Sequence, residues 1–156
     1  MRHEARLESG RLEPDSELRS FLAVADGQGA VVSFVGIARP TSREGAAVIG
    51  LFLDHYPGMT ERSLHEIAAA GVQRFAGTRV RIVHRCGQVS PGEAIVFVAA
   101  ASPHRRAAFE AADYVMDRLK TEAAFWKRED RSDGSDWIEP TAQDRIERSR
   151  WDSCPE

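Results

Sequence analysis

The sequence predicts a single α+β domain with a mixed or antiparallel sheet. Apolar, β-branched runs alternate with segments of helical spacing in the order β-α-β-β-α-β-β-α-β-β. The chain has 156 residues, 42% of them apolar and 29% charged, which is sufficient for one domain with a buried core.

The first half of the chain is predicted to contain three strands and two helices. An edge strand is predicted over residues 1–8, and apolar spacing predicts a helix over 14–26. The runs AVVSFVGIA and AVIGLFLDH predict strands over 30–38 and 47–55. The polar loop RPTSREGA between them is expected to be mobile, and helical spacing returns over 59–75.

The second half is predicted to begin with a β-hairpin and to continue with a long helix. Alternation over 78–88 and the apolar run over 93–101 predict the two strands of the hairpin. The helix follows over 103–120, with Ser102 as its N-cap and Pro103 at its first position.

The C-terminal part is less regular. Short extended segments are predicted over 125–127 and 136–139, around the turn SDGS. The polar segment 141–156, which includes Cys154, has two interpretations, a frayed helix or a disordered tail. We therefore expect one domain over 1–140 followed by a tail.

Composition excludes several classes of protein. The net charge of −3 and the pI of about 6.0 disfavour a general nucleic-acid binder. No apolar run approaches membrane-spanning length and the N-terminus lacks a secretory h-region, so a cytoplasmic protein is expected. Two distant cysteines, scattered histidines and the absence of glycine-rich phosphate loops predict neither a metal site nor a bound cofactor.

The start of the long helix carries cations where they are electrostatically unfavourable. His104, Arg105 and Arg106 fill its predicted first turn, although a helix N-terminus already bears partial positive charge. An external anion would remove that cost, which favours a phosphate or carboxylate site. A solvated first turn paired with nearby acids explains the pattern equally well, and Arg106 is the cation that this surface interpretation fits best.

Two lysines flank the end of the same helix. Lys120 and Lys127 enclose the run TEAAFW, and apolar surroundings together with a second cation favour a neutral amine. Such an amine can act as nucleophile or base, while a charged one can bind an anion. The alternative is that both stems cover apolar surface while the heads remain in water.

Four other residues are weaker candidates. Arg39 stands at a strand end beside a loop, where binding residues are common, although by itself such a residue is more often a surface arginine. His55 can be a base or a structural residue at a turn. Cys86 is interpreted as a core cysteine, because no neighbour lowers its pKa. Glu93 is interpreted as a support for the hairpin.

Taken together, the motifs resemble one known family. In order, SFVGIAR, LFLDHYPGMTERSLHEIA, SPHRR, LKTEAAFWKRED and DWIE are similar to the large, catalytic subunit of molybdopterin synthase. The resemblance extends from about residue 30 to 139. Each motif is weak by itself, whereas the full set in this order is specific.

The resemblance implies a reaction, a fold and partners. Members convert cyclic pyranopterin monophosphate into molybdopterin, taking two sulfurs from the C-terminal Gly-Gly thiocarboxylate of a small ubiquitin-like subunit. The implied fold is a hammerhead-like α/β domain with a smaller antiparallel β subdomain. The implied assembly is a homodimer with a small subunit at each end, a heterotetramer, and no cofactor is required.

The resemblance also implies a set of site residues. Lys120 and Lys127 correspond to the family's catalytic lysines. Some site residues are expected to act across the dimer interface. The implied substrate-binding residues are Ile37, Ala38, Arg39, His104, Arg105, Lys120, Lys127, Arg128 and Glu129.

One departure from the family pattern concerns the charge of the site. Relatives carry a basic residue in a VEAR-like run, where this chain has WIEPT with Pro140. Either a cation is missing, or Arg145 or Arg148 replaces it. Loss of site cations would be typical of the alternative function, a non-catalytic scaffold that binds a ubiquitin-like sulfur carrier.

Overall fold

The computed structural model describes residues 2–153 and confirms the α+β prediction. The described residues form eight strands and four helices. In chain order these are β1 (His3–Glu8), α1 (Pro14–Val24), β2 (Ala30–Ile37), β3 (Val48–His55), α2 (Met59–Arg74), β4 (Arg79–Arg85), β5 (Gly87–Val89), β6 (Ala94–Ser102), α3 (Arg105–Glu122), β7 (Phe125–Arg131), β8 (Gly134–Ile138) and α4 (Ala142–Ser149).

The larger sheet has the strand order β1-β4-β6-β2. β1 runs parallel to β4, and the other neighbours are antiparallel. Its central strands are buried on both faces: Ile82 packs toward α2 and α3, whereas Val83 packs toward α1. Burial on both faces explains why β4 and β6 are nearly continuous apolar runs.

Helices α2 and α3 approach each other closely at Gly71. A Cβ atom built at this position would lie 2.9 Å from Cγ2 of Val115, closer than side chains tolerate. Glycine at this position therefore lets α2 lie against α3, and this packing fixes the end of α3 relative to the sheet.

The smaller sheet is antiparallel, with the order β5-β3-β7-β8. The prediction of one strand over 78–88 is wrong, because β4 ends at Arg85 and the next strand belongs to the other sheet. Gly87 has φ of 84°, a left-handed conformation that lets the chain change sheets. The predicted pairing of β4 with β6 is present, with Val83 opposite Phe97. β7 and β8 form a longer hairpin than the short segments predicted.

The long helix starts later than the sequence predicts. His104 is its N-cap, and Arg105 is its first residue. Ser102 is not the cap, because it still pairs with Ala30 at the end of β6. The larger sheet thus extends through Ser102, and strand pairing prevents this residue from capping the helix.

The segment after residue 140 forms a helix that packs on α3. Thr141 caps α4 by accepting a hydrogen bond from the Asp144 amide at 3.0 Å, and Asp144 accepts one from the Thr141 amide at 2.8 Å. After α4, Trp151 donates to Asp117 at 2.7 Å and packs edge-on against Tyr114. Of the two interpretations of this segment, the structure supports a helix. Cys154 lies outside the described residues.

The loop RPTSREGA is a tight hairpin tip, not an open loop. Ser42 is buried, and its amide donates to the Ala46 carbonyl at 2.8 Å while its hydroxyl accepts from the Ala46 amide at 3.0 Å. At the base, the Val48 amide donates to the Pro40 carbonyl at 2.9 Å. These bonds close the loop on itself at the start of β3.

Candidate active site

A cavity of about 580 Å³ lies where the end of β2, the end of α3 and one face of β7 meet. The hairpin tip after Arg39 and the connection from β8 to α4 complete it. Charged side chains of both signs are mixed with apolar ones along its surface. Of the residues predicted for the site, it is lined by Ile37, Ala38, Arg39, Lys120, Lys127 and Glu129.

A β-bulge directs the first of these segments into the cavity. The register of β2 against β6 shifts between Gly36 and Ile37. Ala38 is buried, and its amide donates to the Glu93 carbonyl at 2.9 Å. With Ala38 anchored in this way, the exposed Arg39 that follows stands at the cavity edge.

Lys120 is positioned by the last turn of α3 and by the connection that follows. Leu119 is buried in the core, while Lys120 is exposed toward the cavity. The Thr60 hydroxyl donates to the Ala124 carbonyl at 2.7 Å, and the Ala124 amide donates to the Ser63 hydroxyl at 3.2 Å. Helix α2 therefore fixes the point at which the chain passes from α3 to β7.

Strand β7 places its side chains on two faces, as the two-residue period of a strand requires. Phe125, Lys127 and Glu129 face the cavity. Trp126 and Arg128, which alternate with them, do not line it, and Trp126 is 52% exposed. The strand period therefore sorts the run FWKRE into cavity and outer residues.

Arg128 lies on the outer face. Its guanidinium donates to Asp130 at 2.8 Å and stacks over the ring of Phe52, 5.0 Å from the ring centroid. Although the family resemblance implies that Arg128 binds substrate, the structure places its side chain away from the cavity of the same subunit.

Lys127 has an unusual environment for an amine. Burial lowers its pKa from 10.5 to about 8, and the positive charge of Lys120 contributes to this shift, while Asp144 acts in the opposite direction. At neutral pH Lys127 is therefore mostly charged, and it can release its proton slightly above neutrality.

His84 is buried near the two lysines. It is 4% exposed and stacks on Phe125, with 4.1 Å between ring centroids. Burial and the charges of Lys127 and Lys120 lower its pKa to about 3. His84 is thus neutral at physiological pH, and its Nδ1 lies 2.8 Å from the Arg85 carbonyl, to which a neutral ring can donate.

Three cations of the cavity form no salt bridge with a described acid. Arg131 also lines the cavity, but it is bonded to Glu129 and to two further carboxylates. Among residues 2–153, no salt bridge involves Arg39, Lys120 or Lys127. Their charge is therefore available to an anionic ligand.

His104 and Arg105 lie elsewhere. Both are exposed in a separate depression beside Gly29, at the opposite end of α3 from Lys120. At 1.5 Å per residue, α3 puts about 22 Å between Arg105 and Lys120. Within one subunit, the structure does not bring the predicted His-Arg pair to the predicted lysines.

Sequence reasoning missed several charged cavity residues, three of which come from segments outside the predicted site. Arg43 and Glu44 come from the hairpin tip, and Asp144 comes from α4. Because the tip directly follows the predicted site residue Arg39, the sequence did indicate that Arg43 and Glu44 lie near the site. Asp144 was not recognisable, because nothing in a polar C-terminal segment indicates that it folds back over a distant site.

The weaker candidates have structural surroundings. Cys86 is buried, as predicted for a core cysteine. Glu93 accepts a hydrogen bond from Arg85 at 2.9 Å beside the predicted hairpin. In the described part of the chain, no three His, Cys, Asp or Glu side chains are grouped so as to hold a metal ion. No helix between residues 2 and 153 is long and apolar enough to cross a membrane.

Known proteins are similar to this chain over most of its length. The model of the MoaE protein family matches residues 7–122. The molybdopterin synthase catalytic subunit of Pseudomonas aeruginosa is 48% identical over 147 residues, covering 94% of this chain and 97% of that protein. The corresponding subunit of Caulobacter vibrioides is 52% identical over 140 residues, covering 90% and 91%.

Solved structures show the same fold. The molybdopterin biosynthesis MoaE protein from Burkholderia ambifaria superposes with a TM-score of 0.81 at 37% identity, covering 98% of this chain and 99% of that one. A chain from the complex of subunits 1 and 2 of the molybdopterin-converting factor of Helicobacter pylori superposes with a TM-score of 0.72 over 86% and 89%. At 20% identity, this second likeness concerns the fold alone.

Proposed function

The chain belongs to the MoaE protein family of molybdopterin synthase catalytic subunits, enzymes of molybdenum cofactor biosynthesis, and on this premise we propose the reaction it performs. The proposed substrate is cyclic pyranopterin monophosphate. The proposed sulfur source is the C-terminal thiocarboxylate of a small ubiquitin-like subunit, used twice for each molybdopterin. A cytoplasmic location is part of the same proposal.

The single observation that best supports this reaction is the set of unpaired cations in one cavity. Both ligands are anions, a phosphate ester and a thiocarboxylate. Arg39, Lys120 and Lys127 line the cavity without a salt bridge to any described residue. Lys127 is half-buried without an ion-paired acid, which is costly, and Arg39 and Lys120 add exposed positive charge at the same cavity. Bound anions offset that cost and bind the exposed charges.

Arg39 is proposed to bind the phosphate. It is exposed at the cavity edge, and the buried Ala38 holds its backbone in place. A guanidinium can bind two phosphate oxygens at once, which a lysine cannot do. Ile37 and Ala38 are proposed to contact substrate through the same segment.

The two lysines are proposed to serve the sulfur transfer. Lys120, which is exposed, positions the thiocarboxylate and stabilises the negative charge that develops as sulfur leaves it. Lys127, with a pKa of about 8, holds the substrate or polarises the oxygen that sulfur replaces. Its lowered pKa makes Lys127 the better candidate to exchange a proton near neutral pH.

His104 and Arg105 are proposed to act in the cavity of a second subunit. They are exposed and lie at the far end of α3 from their own cavity. A homodimer that brings this end against the partner's cavity would combine the His-Arg pair with Arg39 and the lysines. A small subunit bound to each cavity then gives the proposed heterotetramer.

Glu129 and Arg128 are proposed to have different roles in substrate binding. Glu129 faces the cavity and bonds to Arg131 at 3.3 Å, so it can orient that arginine or meet a donor group of the pterin. The Arg128 side chain lies on the outer face, so only its backbone is available to substrate in the same subunit.

The alternative of a non-catalytic scaffold predicts loss of site cations. Arg39, Lys120 and Lys127 are all present and converge on one cavity. This convergence favours catalysis over simple binding of a sulfur carrier.

Reconstitution tests the proposal. The purified chain, a thiocarboxylated carrier and cyclic pyranopterin monophosphate are expected to yield molybdopterin. Replacing Lys120 by Ala is expected to reduce the rate by about 100-fold or more, the size of effect seen when a transition-state charge partner is removed. An exposed arginine outside the cavity, replaced as Arg62→Ala, serves as the matched control. Full activity of the Lys120→Ala protein would refute the assignment of this lysine.

A further inference from the structure

A further cation, Arg43, lies at the tip of the hairpin that begins at Arg39. The tip is held by Ser42, which is buried and bonded twice to Ala46. Gly45, with φ of 87°, closes the turn. Arg43 thus belongs to a loop that is held by hydrogen bonds, and it lines the same cavity as Arg39.

Arg43 is one of few cations near the cavity that remain available. Arg131 is bonded to three carboxylates, and Arg148 is bonded to Glu122 at 2.6 Å and to Asp152 at 2.8 Å. Arg43 has no salt bridge to a described residue. Arg148, one of the two replacements that the sequence suggested for the missing cation, is therefore already occupied.

Arg43 also faces the part of the chain where the family pattern is altered. Pro140 and Asp144 line the cavity from the connection between β8 and α4. Burial acts to raise the pKa of the Asp144 carboxyl, but its hydrogen bonds with Thr141 lower it, and the nearby charges of Lys120 and Arg43 add to that lowering. Arg43 therefore supplies positive charge on the side of the cavity where Pro140 supplies none.

We propose that Arg43 binds the phosphate of the substrate together with Arg39, and that it replaces the cation missing at Pro140. This assignment rests on the proposed function, because it concerns the same cavity and the same substrate. A cyclic phosphate has two oxygens free of ester bonds. Each oxygen can accept more than one hydrogen bond, so two guanidiniums carried by one hairpin can share them.

The phosphate is favoured over the carrier's thiocarboxylate because of where the cations lie. Arg39 and Arg43 belong to the hairpin, whereas Lys120 and Lys127 come from α3 and β7. Guanidinium forks match phosphate geometry, and ammonium groups act as point charges. The two arginines are thus assigned to the phosphate and Lys120 to the thiocarboxylate, while Lys127 acts at the oxygen of the substrate that sulfur replaces.

Calorimetric titration of the purified chain tests this assignment. Cyclic pyranopterin monophosphate and the carrier protein are titrated separately into wild-type protein and into Arg43→Ala, Arg43→Lys and Arg145→Ala proteins. Arg43→Ala is expected to weaken substrate binding about tenfold, the usual effect of losing one charged hydrogen bond. Arg43→Lys is expected to recover part of that loss. Arg145→Ala, which removes an exposed arginine outside the cavity, is expected to leave substrate binding unchanged.

Each contrary result has a distinct meaning. Unchanged substrate affinity in Arg43→Ala, or a tenfold loss in Arg145→Ala, would overturn the role of Arg43. A loss confined to carrier binding would overturn the assignment to phosphate. If the wild-type chain bound no substrate, even with carrier present, the proposed function itself would fail. Circular dichroism of the variants separates these results from misfolding.

Discussion

At the scale of single residues, the two site lysines have unlike surroundings. Lys120 is exposed at the end of a helix, whereas Lys127 is half-buried on a strand beside Phe125. Desolvation acts on Lys127, and the charge of its neighbour adds to the effect. The protein thus keeps a destabilising charge at its site, as is common where function requires it.

Replacing Lys127 by Met is therefore expected to stabilise the protein at pH 7. The pKa of Lys127 is about 8 in the folded state and 10.5 as an ordinary amine, so the penalty is at most about 3–4 kcal/mol. Because the side chain is only half-buried, we expect a gain of about 1–2 kcal/mol in the free energy of unfolding. Urea denaturation measures it.

The pH dependence of the stability gained in Lys127→Met shows whether the gain comes from removing the charge of the lysine. Below pH 8 the lysine is charged in both states, so the penalty is fully present. Between pH 8 and 10.5 the unfolded state binds more protons, so the wild-type protein recovers stability as pH rises. The advantage of Lys127→Met should fade by about pH 10, while Lys120→Met should show little advantage at either pH. A loss of stability in Lys127→Met at pH 7 would contradict the inferred desolvation.

His84 predicts a loss of stability in mild acid. Its pKa is lowered to about 3 by burial and by the charges of the two lysines, against 6.5 for an ordinary histidine. The unfolded state therefore binds more protons between these values. The contribution is complete above pH 6.5 and declines as pH falls toward 3. Between pH 7 and pH 5 the free energy of unfolding should fall by about 2 kcal/mol.

Substitution isolates the contribution of His84. In His84→Gln, which cannot titrate, most of the decline between pH 7 and 5 should disappear. The exposed His65, replaced in the same way, should leave the decline nearly unchanged. Equal pH dependence in wild type and His84→Gln would show that other groups are responsible.

At the scale of elements, α4 shows how a polar segment can belong to a site. Its own residues are mostly exposed. It is attached to α3 by the Arg148–Glu122 ion pair at 2.6 Å and by the two residues that follow the helix, Arg150 and Trp151. Trp151 packs against Tyr114 and Phe75 and donates to Asp117. Arg150 also bonds to Asp117, at 2.9 Å. These contacts hold α4 in place, and they thereby keep the carboxylate of Asp144, in the first turn of α4, at the cavity.

Trp151→Ala is expected to detach α4 and to lower the free energy of unfolding by about 1–2 kcal/mol. The variant removes a half-buried aromatic contact and leaves Asp117 without its indole donor. Limited proteolysis should cut near residues 142–149 in the variant before it cuts the wild-type chain. Ile146→Ala, at a 59% exposed position on α4, is the control. Unaltered cleavage in Trp151→Ala would show that α4 is held by other contacts.

At the scale of the whole molecule, the separation of His104 and Arg105 from Lys120 bears on how the enzyme assembles. One chain carries the predicted site residues in two separate groups, or half-sets, at opposite ends of α3: the lysines with Arg39 at one end, and His104 with Arg105 at the other. In a symmetric dimer, each half-set can meet its complement on the partner. Under this proposal, an isolated subunit would hold the lysines but lack the His-Arg pair.

Mixing two inactive variants tests the composite site. Lys120→Ala and His104→Ala proteins are expected to be nearly inactive alone. After subunit exchange, half of the dimers are mixed, and each mixed dimer has one cavity with both residues intact. Activity should return to about a quarter of the wild-type rate. If mixing restored no activity although exchange was demonstrated, the pair would not act across the interface.

The fold could be predicted largely from the sequence because its core elements have strong local patterns. The continuous apolar runs of β4 and β6 and the spaced apolar residues of α2 identify themselves without tertiary information. The errors lie where two local signals compete. Ser102 is a good capping residue, but it pairs with Ala30 in the sheet instead of capping the helix. At Gly87 the chain leaves one sheet for the other, although the sequence there reads as one regular strand.

The sequence by itself determined the family, the α+β class and the types of residue in the site, because these depend on composition, order and local periodicity. Only the tertiary structure decided which of these residues meet. It brought Arg39, Lys120 and Lys127 into one cavity, placed Arg128 on the outer face of β7, and added Arg43 and Asp144. Such groupings depend on a strand bulge, a helix contact and a folded-back segment, which bring together residues that are distant in the chain.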